Sequence, residues 1–294
     1  MDREPTVVAD YGCQVGENPI WHPDEAALYW IDVPAGSLFR YRPSADECSH
    51  VFDTDLIAGV TVEADGDLLL FGDAGTVRRL DTDTGEPEPV LEIPEEADSR
   101  FNDVIADPLG RVFAGTMPTD DRPGRLYRLE PDGTYTRVVE DLAIPNGLGF
   151  TPDRDGLYVT ESEAGRIRRY AYDEATGQLS DRTSFAEVGR RGHLPDGLTV
   201  DANGHVWSAE WGGGRLVRYD PAGEAVERVP CPAETVSSLA FGGESYETAY
   251  VTTGLGYYER RTKAELGDAA GALLSMDLGV AGRPEFRSRI ADGS

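Results

Sequence analysis

Six short segments of this chain begin alike and recur at a nearly fixed interval. They start at Glu17, Ala58, Asn102, Asn146, Asp196 and Ser237, in steps of 41, 44, 44, 50 and 41 residues. Each opens on a small or polar residue, alternates apolar and polar, breaks at Asp, Pro or Gly, and alternates again. Asn146-Gly-Leu-Gly-Phe-Thr-Pro-Asp153 and Asp196-Gly-Leu-Thr-Val-Asp-Ala-Asn203 show the pattern side by side. A two-residue apolar period marks strands, and a strand-based repeat of this length is one blade of a β-propeller. The expectation is an all-β, six-bladed β-propeller in which residues 1–294 form a single domain. Equivalent positions of blades set around one axis fall on one ring. Here that ring carries two carboxylates and two carboxamides aimed at a common centre, a candidate metal site in the central tunnel.

Composition fits this reading. With 39% hydrophobic residues, 34 Gly and 19 Pro, the chain can supply many short strands and tight turns. No apolar run approaches the length of a membrane-spanning helix. Met1-Asp-Arg-Glu-Pro5 lacks the basic-then-apolar profile of a secretory leader. Cys13, Cys48 and Cys231 are odd in number and far apart, which suits free thiols in a cytoplasmic protein.

Charge is the unusual property. Fifty-four acidic residues face 27 basic ones, a formal net charge of −27, and Lys263 is the single lysine. Self-repulsion on this scale opposes compaction. In molar salt the Debye length shrinks to roughly 3 Å and most of the repulsion disappears. A halophilic cytosol is the expected habitat. The same balance argues against nucleic-acid binding, since no basic patch can neutralise phosphates.

Strand-like runs recur within every repeat, as in Ala27–Asp32 with Ser37–Tyr41 and His205–Ala209 with Arg215–Tyr219. Helix is expected to be minor, for want of a 3.6-residue apolar period. Pro5–Ala9 precedes the first repeat and can complete the last blade, hiding an open edge. Two loops outgrow their counterparts, Thr116–Gly124 and Gly254–Gly271, and long loops in compact repeats tend to carry function.

On the ring, Glu17, Asn146 and Asp196 offer hard oxygen donors, suited to one divalent cation. Ca²⁺ is the expected ion, with Mg²⁺, Mn²⁺, Zn or Fe as alternatives. A tunnel lined by ordered polar groups and water, without metal, is the competing possibility. Arg100 precedes Asn102 by two residues and can hold a hydroxyl- or carboxyl-bearing substrate at the tunnel mouth. The alternative for Arg100 is a surface pair with Asp98 or Asp103, and Asp103 can cap the turn instead of binding. Other chemistries lack support. The four histidines have no zinc-protease spacing, and no Gly-x-Ser-x-Gly anchors a serine hydrolase. No helix follows Gly212–Gly214, and Asp81–Glu86 reads as a hairpin turn because its glycine is misplaced for an EF-hand.

Five motifs together give the chain a resemblance to the gluconolactonase family that includes regucalcin (senescence marker protein). They are Gly16-Glu-Asn-Pro19, Arg100-Phe-Asn-Asp103, Phe113-Ala-Gly-Thr-Met117, Pro145-Asn-Gly-Leu148 and Pro195-Asp-Gly-Leu198, and the resemblance runs from about Gly16 to Thr253. It implies a six-bladed propeller holding one divalent cation through Glu17, Asn146 and Asp196, with Arg100 and Asn102 contacting a sugar lactone. Some members add a glutamate after the Gly-Thr-Met motif; Asp120, a shorter acid, stands in that place. The implied activity is cation-dependent opening of an aldonolactone, such as a glucono- or xylono-lactone, to the sugar acid. Asp196 is the candidate catalytic base and Asp120 a third substrate contact. The rivals are a non-catalytic calcium- or sugar-binding regulatory propeller and a phosphotriesterase-like hydrolase.

Overall fold

The structure is a computed structural model and describes residues 4–82, 84–189, 192–257 and 260–290. These form six four-stranded antiparallel sheets, the blades of a propeller. Blade one runs Gly16–His22, Ala27–Asp32, Ser37–Arg42 and Glu47–Asp53 from the axis outward. Blades two to five repeat this meander, their innermost strands being Gly59–Val62, Phe101–Ala106, Pro145–Phe150 and Leu194–Val200. Blade six takes Val236–Gly242, Thr248–Thr253 and Ala272–Asp277 from the C-terminal end, and Thr6–Asp10 from the N-terminal end. Thr6 pairs with Ser275 and Asp10 with Ala272, so the ring is closed by hydrogen bonds between the two ends of the chain, as the segment before the first repeat predicts.

Burial falls off along each blade. In blade two, Gly59–Val62 and Leu68–Phe71 are buried throughout, Thr76–Leu80 alternates, and Pro87–Glu92 is mostly exposed. Inner strands are covered on both faces by neighbouring blades, so an unbroken apolar run such as Leu68-Leu-Leu-Phe71 suits them. The crowding also dictates glycine after two ring residues. A side chain at Gly147 would collide with the backbone of Gly197 and Leu198, and one at Gly197 with Ser238.

The ring residues are aimed by bulges. The register slips between Glu17 and Ile20, between Phe101 and Val104, between Asn146 and Leu148, between Pro195 and Leu198, and between Val236 and Ser238. Blade two, whose ring residue is Ala58, pairs its inner strand without a slip. A bulge rotates the local backbone and re-aims a side chain, which turns an edge-on position toward the axis.

The two ends of the tunnel differ. One end, at the start of the inner strands, is open. Across the other lies the C-terminal segment. Ala202 N–H donates to Ala281 O at 2.9 Å and Gly282 N–H to Tyr246 O at 2.8 Å. Further on, Ser288 N–H donates to Val62 O at 2.9 Å and Arg289 N–H to Gly110 O at 2.9 Å. The strap thus touches blades five, six, two and three in turn. Helix is minor, as expected: a turn at Lys263–Leu266 lies in the long loop of blade six, and a 3₁₀ turn at Pro94–Glu96. Asp81–Glu86 forms the expected turn, Gly85 N–H donating to Asp81 O at 2.8 Å, although Asp83 lies outside the described residues. Among the described residues no helix is long and apolar enough to cross a membrane.

Candidate active site

A cavity of about 170 Å³ opens at the unstrapped end of the tunnel. Glu17, Arg100, Asn102, Asn146 and Asp196 all line it, together with Met117, Ser162, Trp211 and Tyr257. Five of the six residues singled out in the sequence therefore meet in one place, from blades one, three, four and five. The other two ring positions do not contribute. Ala58 is buried, and Ser237 turns its hydroxyl to Gly16 O at 2.5 Å and Thr252 Oγ1 at 3.0 Å, locking blade six to blade one.

Asp196 is only 7% exposed and accepts a hydrogen bond from the Asn146 side-chain amide across the seam between blades four and five. Glu17 Oε2 accepts from the N–H of Asn18 at 2.8 Å. Burial, then the negative charges of Asp196 and Asp103, push the Glu17 carboxyl well above the usual range. Burial and Asp103 do the same to Asp196, against the pull of Asn146 and Arg100. Two neighbouring carboxyls that both resist ionisation, through burial and nearby negative charge, are what a cation between them would relieve. Among the described residues, the cavity wall contains no thiol or imidazole. Among the described residues no three His, Cys, Asp or Glu side chains are placed to hold a metal, so a cation here would need the Asn146 amide oxygen as its third protein donor. The set of two carboxylates and a carboxamide fits a hard divalent ion.

Arg100 does not pair with Asp98 or Asp103. Its Nη1 donates to Phe101 O at 2.7 Å and to Asn102 Oδ1 at 2.8 Å, and the guanidinium lies 5.2 Å from the centre of the Tyr257 ring. Asn102 Nδ2 in turn donates to Pro145 O at 2.9 Å. Asp103 Oδ1 caps the backbone N–H of Val104 at 2.7 Å and faces the strapped end of the tunnel, beside Glu285.

Asp120 stands apart. It is exposed and does not line the cavity. Its loop folds on itself, Thr119 N–H donating to Arg122 O at 2.9 Å. Arg122 is held by Glu96 at 2.5 Å and Asp98 at 3.2 Å, which leaves Asp120 at the outer tip of the loop. Met117, from the same loop, lines the cavity instead. Trp211 and Tyr257 were not singled out as site residues in the sequence. Trp211 ends a second strand as a core-type residue would, and Tyr257 reaches the site only through the long loop of blade six. The excess length of that loop was the available signal.

Residues 15–254 match the SMP-30/Gluconolactonase/LRE-like region. The chain belongs to this family. Among its relatives, Pentonolactonase XacC of Haloferax volcanii is 49% identical over 292 residues, 98% of this chain and 99% of the relative. Regucalcin of Danio rerio is 30% identical over 278 residues, covering 93% and 94% of the two chains. The solved structure of regucalcin from Agrobacterium tumefaciens, described as a calcium-binding protein, superimposes with a TM-score of 0.91 over 98% of each chain at 24% identity. At that identity the likeness supports the six-bladed fold alone.

Proposed function

We propose that this chain hydrolyses a sugar lactone to its open-chain acid with the help of one divalent cation. The observation that carries the reading is the convergence of Glu17, Asn146 and Asp196 beside Arg100 in one sugar-sized cavity. Family membership and the 49% identity to a pentonolactonase support the reaction class and favour a five-carbon lactone over a six-carbon one.

Glu17, Asn146 and Asp196 would hold the ion, with Ca²⁺ the preferred occupant. When bound, such a cation supplies positive charge that polarises the ester carbonyl. The chain's own groups do the rest. Arg100, its plane fixed by Phe101 O and Asn102 Oδ1, presents its remaining N–H groups to ring hydroxyls or to the ester oxygens. Trp211 and Tyr257 give the sugar's C–H faces an apolar wall. Asp196, buried and held by Asn146, accepts the proton of the attacking water at a carboxylate oxygen. Asp120 can join the substrate contacts only if its loop swings inward when the lactone binds. The acid-rich surface suits a salt-filled cytoplasm.

The test is acid release from γ- and δ-lactones of pentoses and hexoses, followed in a pH-stat with and without chelator. Chelator-sensitive turnover that is fastest on pentonolactones is the expected result. Faster turnover of phosphotriesters than of any lactone, or cation binding with no turnover at all, would overturn the assignment.

A further inference from the structure

Three blades carry the candidate cation ligands, and those same three share a feature that the others lack. In each, the residue just before the ligand pairs with a buried acid at the end of the second strand: Gly16 with Asp32, Pro145 with Glu161, Pro195 with Glu210. The three acids are 7%, 0% and 2% exposed. The corresponding partners in blades three and six are threonines, Thr116 opposite Phe101 and Thr253 opposite Val236. In blade two Phe71 O takes the N–H of Ala58.

Each acid reaches the chain three residues ahead of its ligand. Asp32 Oδ2 accepts the N–H of Gln14 at 2.9 Å and Oδ1 that of Val15, also at 2.9 Å, ahead of Glu17. Glu161 Oε2 accepts the N–H of Ala143 at 3.3 Å, ahead of Asn146. Glu210 Oε2 lies 3.1 Å from Nδ1 of His193, ahead of Asp196, a charge contact with the side chain and not a hydrogen bond to the backbone. Two of the acids are themselves held in place. Arg166 and Arg168 each donate to Glu161 at 3.0 Å, and Arg215 Nε donates to Glu210 at 2.6 Å.

A buried carboxylate is costly unless its hydrogen bonds are made, so each acid fixes whatever it binds. What it binds is the strand entrance from which a bulged backbone aims the ligand inward. We propose that Asp32, Glu161 and Glu210 are positioning residues for the cation ligands, one per ligand-bearing blade, that set the cation affinity of the tunnel. This rests on the cation-site reading above. Groups that orient metal ligands from behind typically govern affinity by about 10–100-fold.

Asp201 provides the control. It is fully buried in blade five, accepts from Trp207 Nε1 at 3.1 Å and Arg218 Nη2 at 2.6 Å, and sits at the strapped end, away from the cavity. Ca²⁺ affinity is measured by calorimetric titration on wild type, Asp32→Asn, Glu161→Gln, Glu210→Gln and Asp201→Asn. Thermal midpoints are taken in chelator, and circular dichroism confirms folding. Asp32→Asn is the gentlest variant, since no arginine loses its partner and only one of two N–H acceptors is lost. The expected result is a loss of about tenfold or more in Ca²⁺ affinity for Asp32→Asn, Glu161→Gln and Glu210→Gln, with Asp201→Asn lowering the midpoint but leaving affinity within twofold of wild type. Affinity unchanged in the first three variants, or reduced equally by Asp201→Asn, overturns the positioning role while leaving the cation site standing. A wild type that takes up no divalent cation removes both.

Discussion

The side-chain amide of Asn102 donates to the carbonyl of Pro145 at 2.9 Å, so a residue facing the cavity from blade three also holds the backbone just before Asn146 in blade four. One side chain would thus serve both the proposed substrate wall and the proposed ligand set. Asn102→Ala is expected to lower kcat/KM and also to weaken Ca²⁺ binding severalfold, since a typical hydrogen bond contributes about 0.5–1.5 kcal/mol. Steady-state kinetics and a cation titration on one preparation check it. A change confined to KM would mean that the bond to Pro145 has no part in shaping the site.

Asp196→Asn should end hydrolysis and cation uptake together. It should also raise the thermal midpoint of the cation-free protein, because the repulsion that pushes up the Glu17 carboxyl is removed. In wild type, Ca²⁺ at 100 times its Kd should add about 2.7 kcal/mol of stability, and the variant should gain nothing. Scanning calorimetry with chelator and with Ca²⁺ gives both numbers. Lactonase activity surviving in the variant would remove Asp196 from the mechanism.

Without cation, stability should decline as pH rises. Burial pushes the Asp103 carboxyl up to about 7, with the negative charge of Glu285 adding to it, and Glu17 and Asp196 shift in the same direction. A carboxyl whose folded pKa exceeds its unfolded value binds protons more tightly when folded. Its contribution is therefore complete below about pH 4 and is lost as pH climbs to about 7. Melts in molar KCl with chelator should show this slope, and Ca²⁺ should flatten or reverse it. A cation-free protein that gains stability across the same window would contradict these shifts.

A net charge of −27 should make the fold depend on salt. The thermal midpoint should rise steadily from 0.2 to 2 M KCl as screening shortens the reach of the repulsion to roughly 3 Å at molar salt. A flat profile would show that local ion pairs, such as Arg182 with Asp141 at 2.7 Å, already balance the surface.

Removing residues 1–10 should be far more damaging than trimming an ordinary terminus. It takes Thr6–Asp10 out of blade six and uncovers the edge of Ala272–Asp277. Aggregation or a lost cooperative transition is expected by light scattering and calorimetry. A truncated protein that melts like the full chain would show that blade six holds with three strands.

The architecture could be read from the chain because a propeller repeats one local pattern. Spacing located Glu17, Asn102, Asn146 and Asp196, and the blade order then placed them on one axis. Their inward aim was less legible, since it depends on bulges that leave no mark on the period. The family resemblance puts Asp120 in the place of a glutamate after Gly115-Thr116-Met117, yet a loop's path follows its anchors, here Arg122 on Glu96 and Asp98. Tyr257 meets Arg100 from more than 150 residues away in sequence, and no local pattern announces such a pairing. Asp32, Glu161 and Glu210 were visible all along as acids closing a second strand. Their meaning appears only when the repeats are aligned on that strand instead of on the ring.

The strap formed by the C-terminal residues makes the propeller a blind well. At that end the free space beside Glu285 and Phe286 is about 50 Å³, room for a water or two but not for a sugar. A lactone and the acid made from it must therefore share one doorway, and each turnover waits for the product to back out. Accumulated sugar acid should accordingly compete with fresh lactone, tying the rate of this enzyme to how quickly the next reaction clears its product.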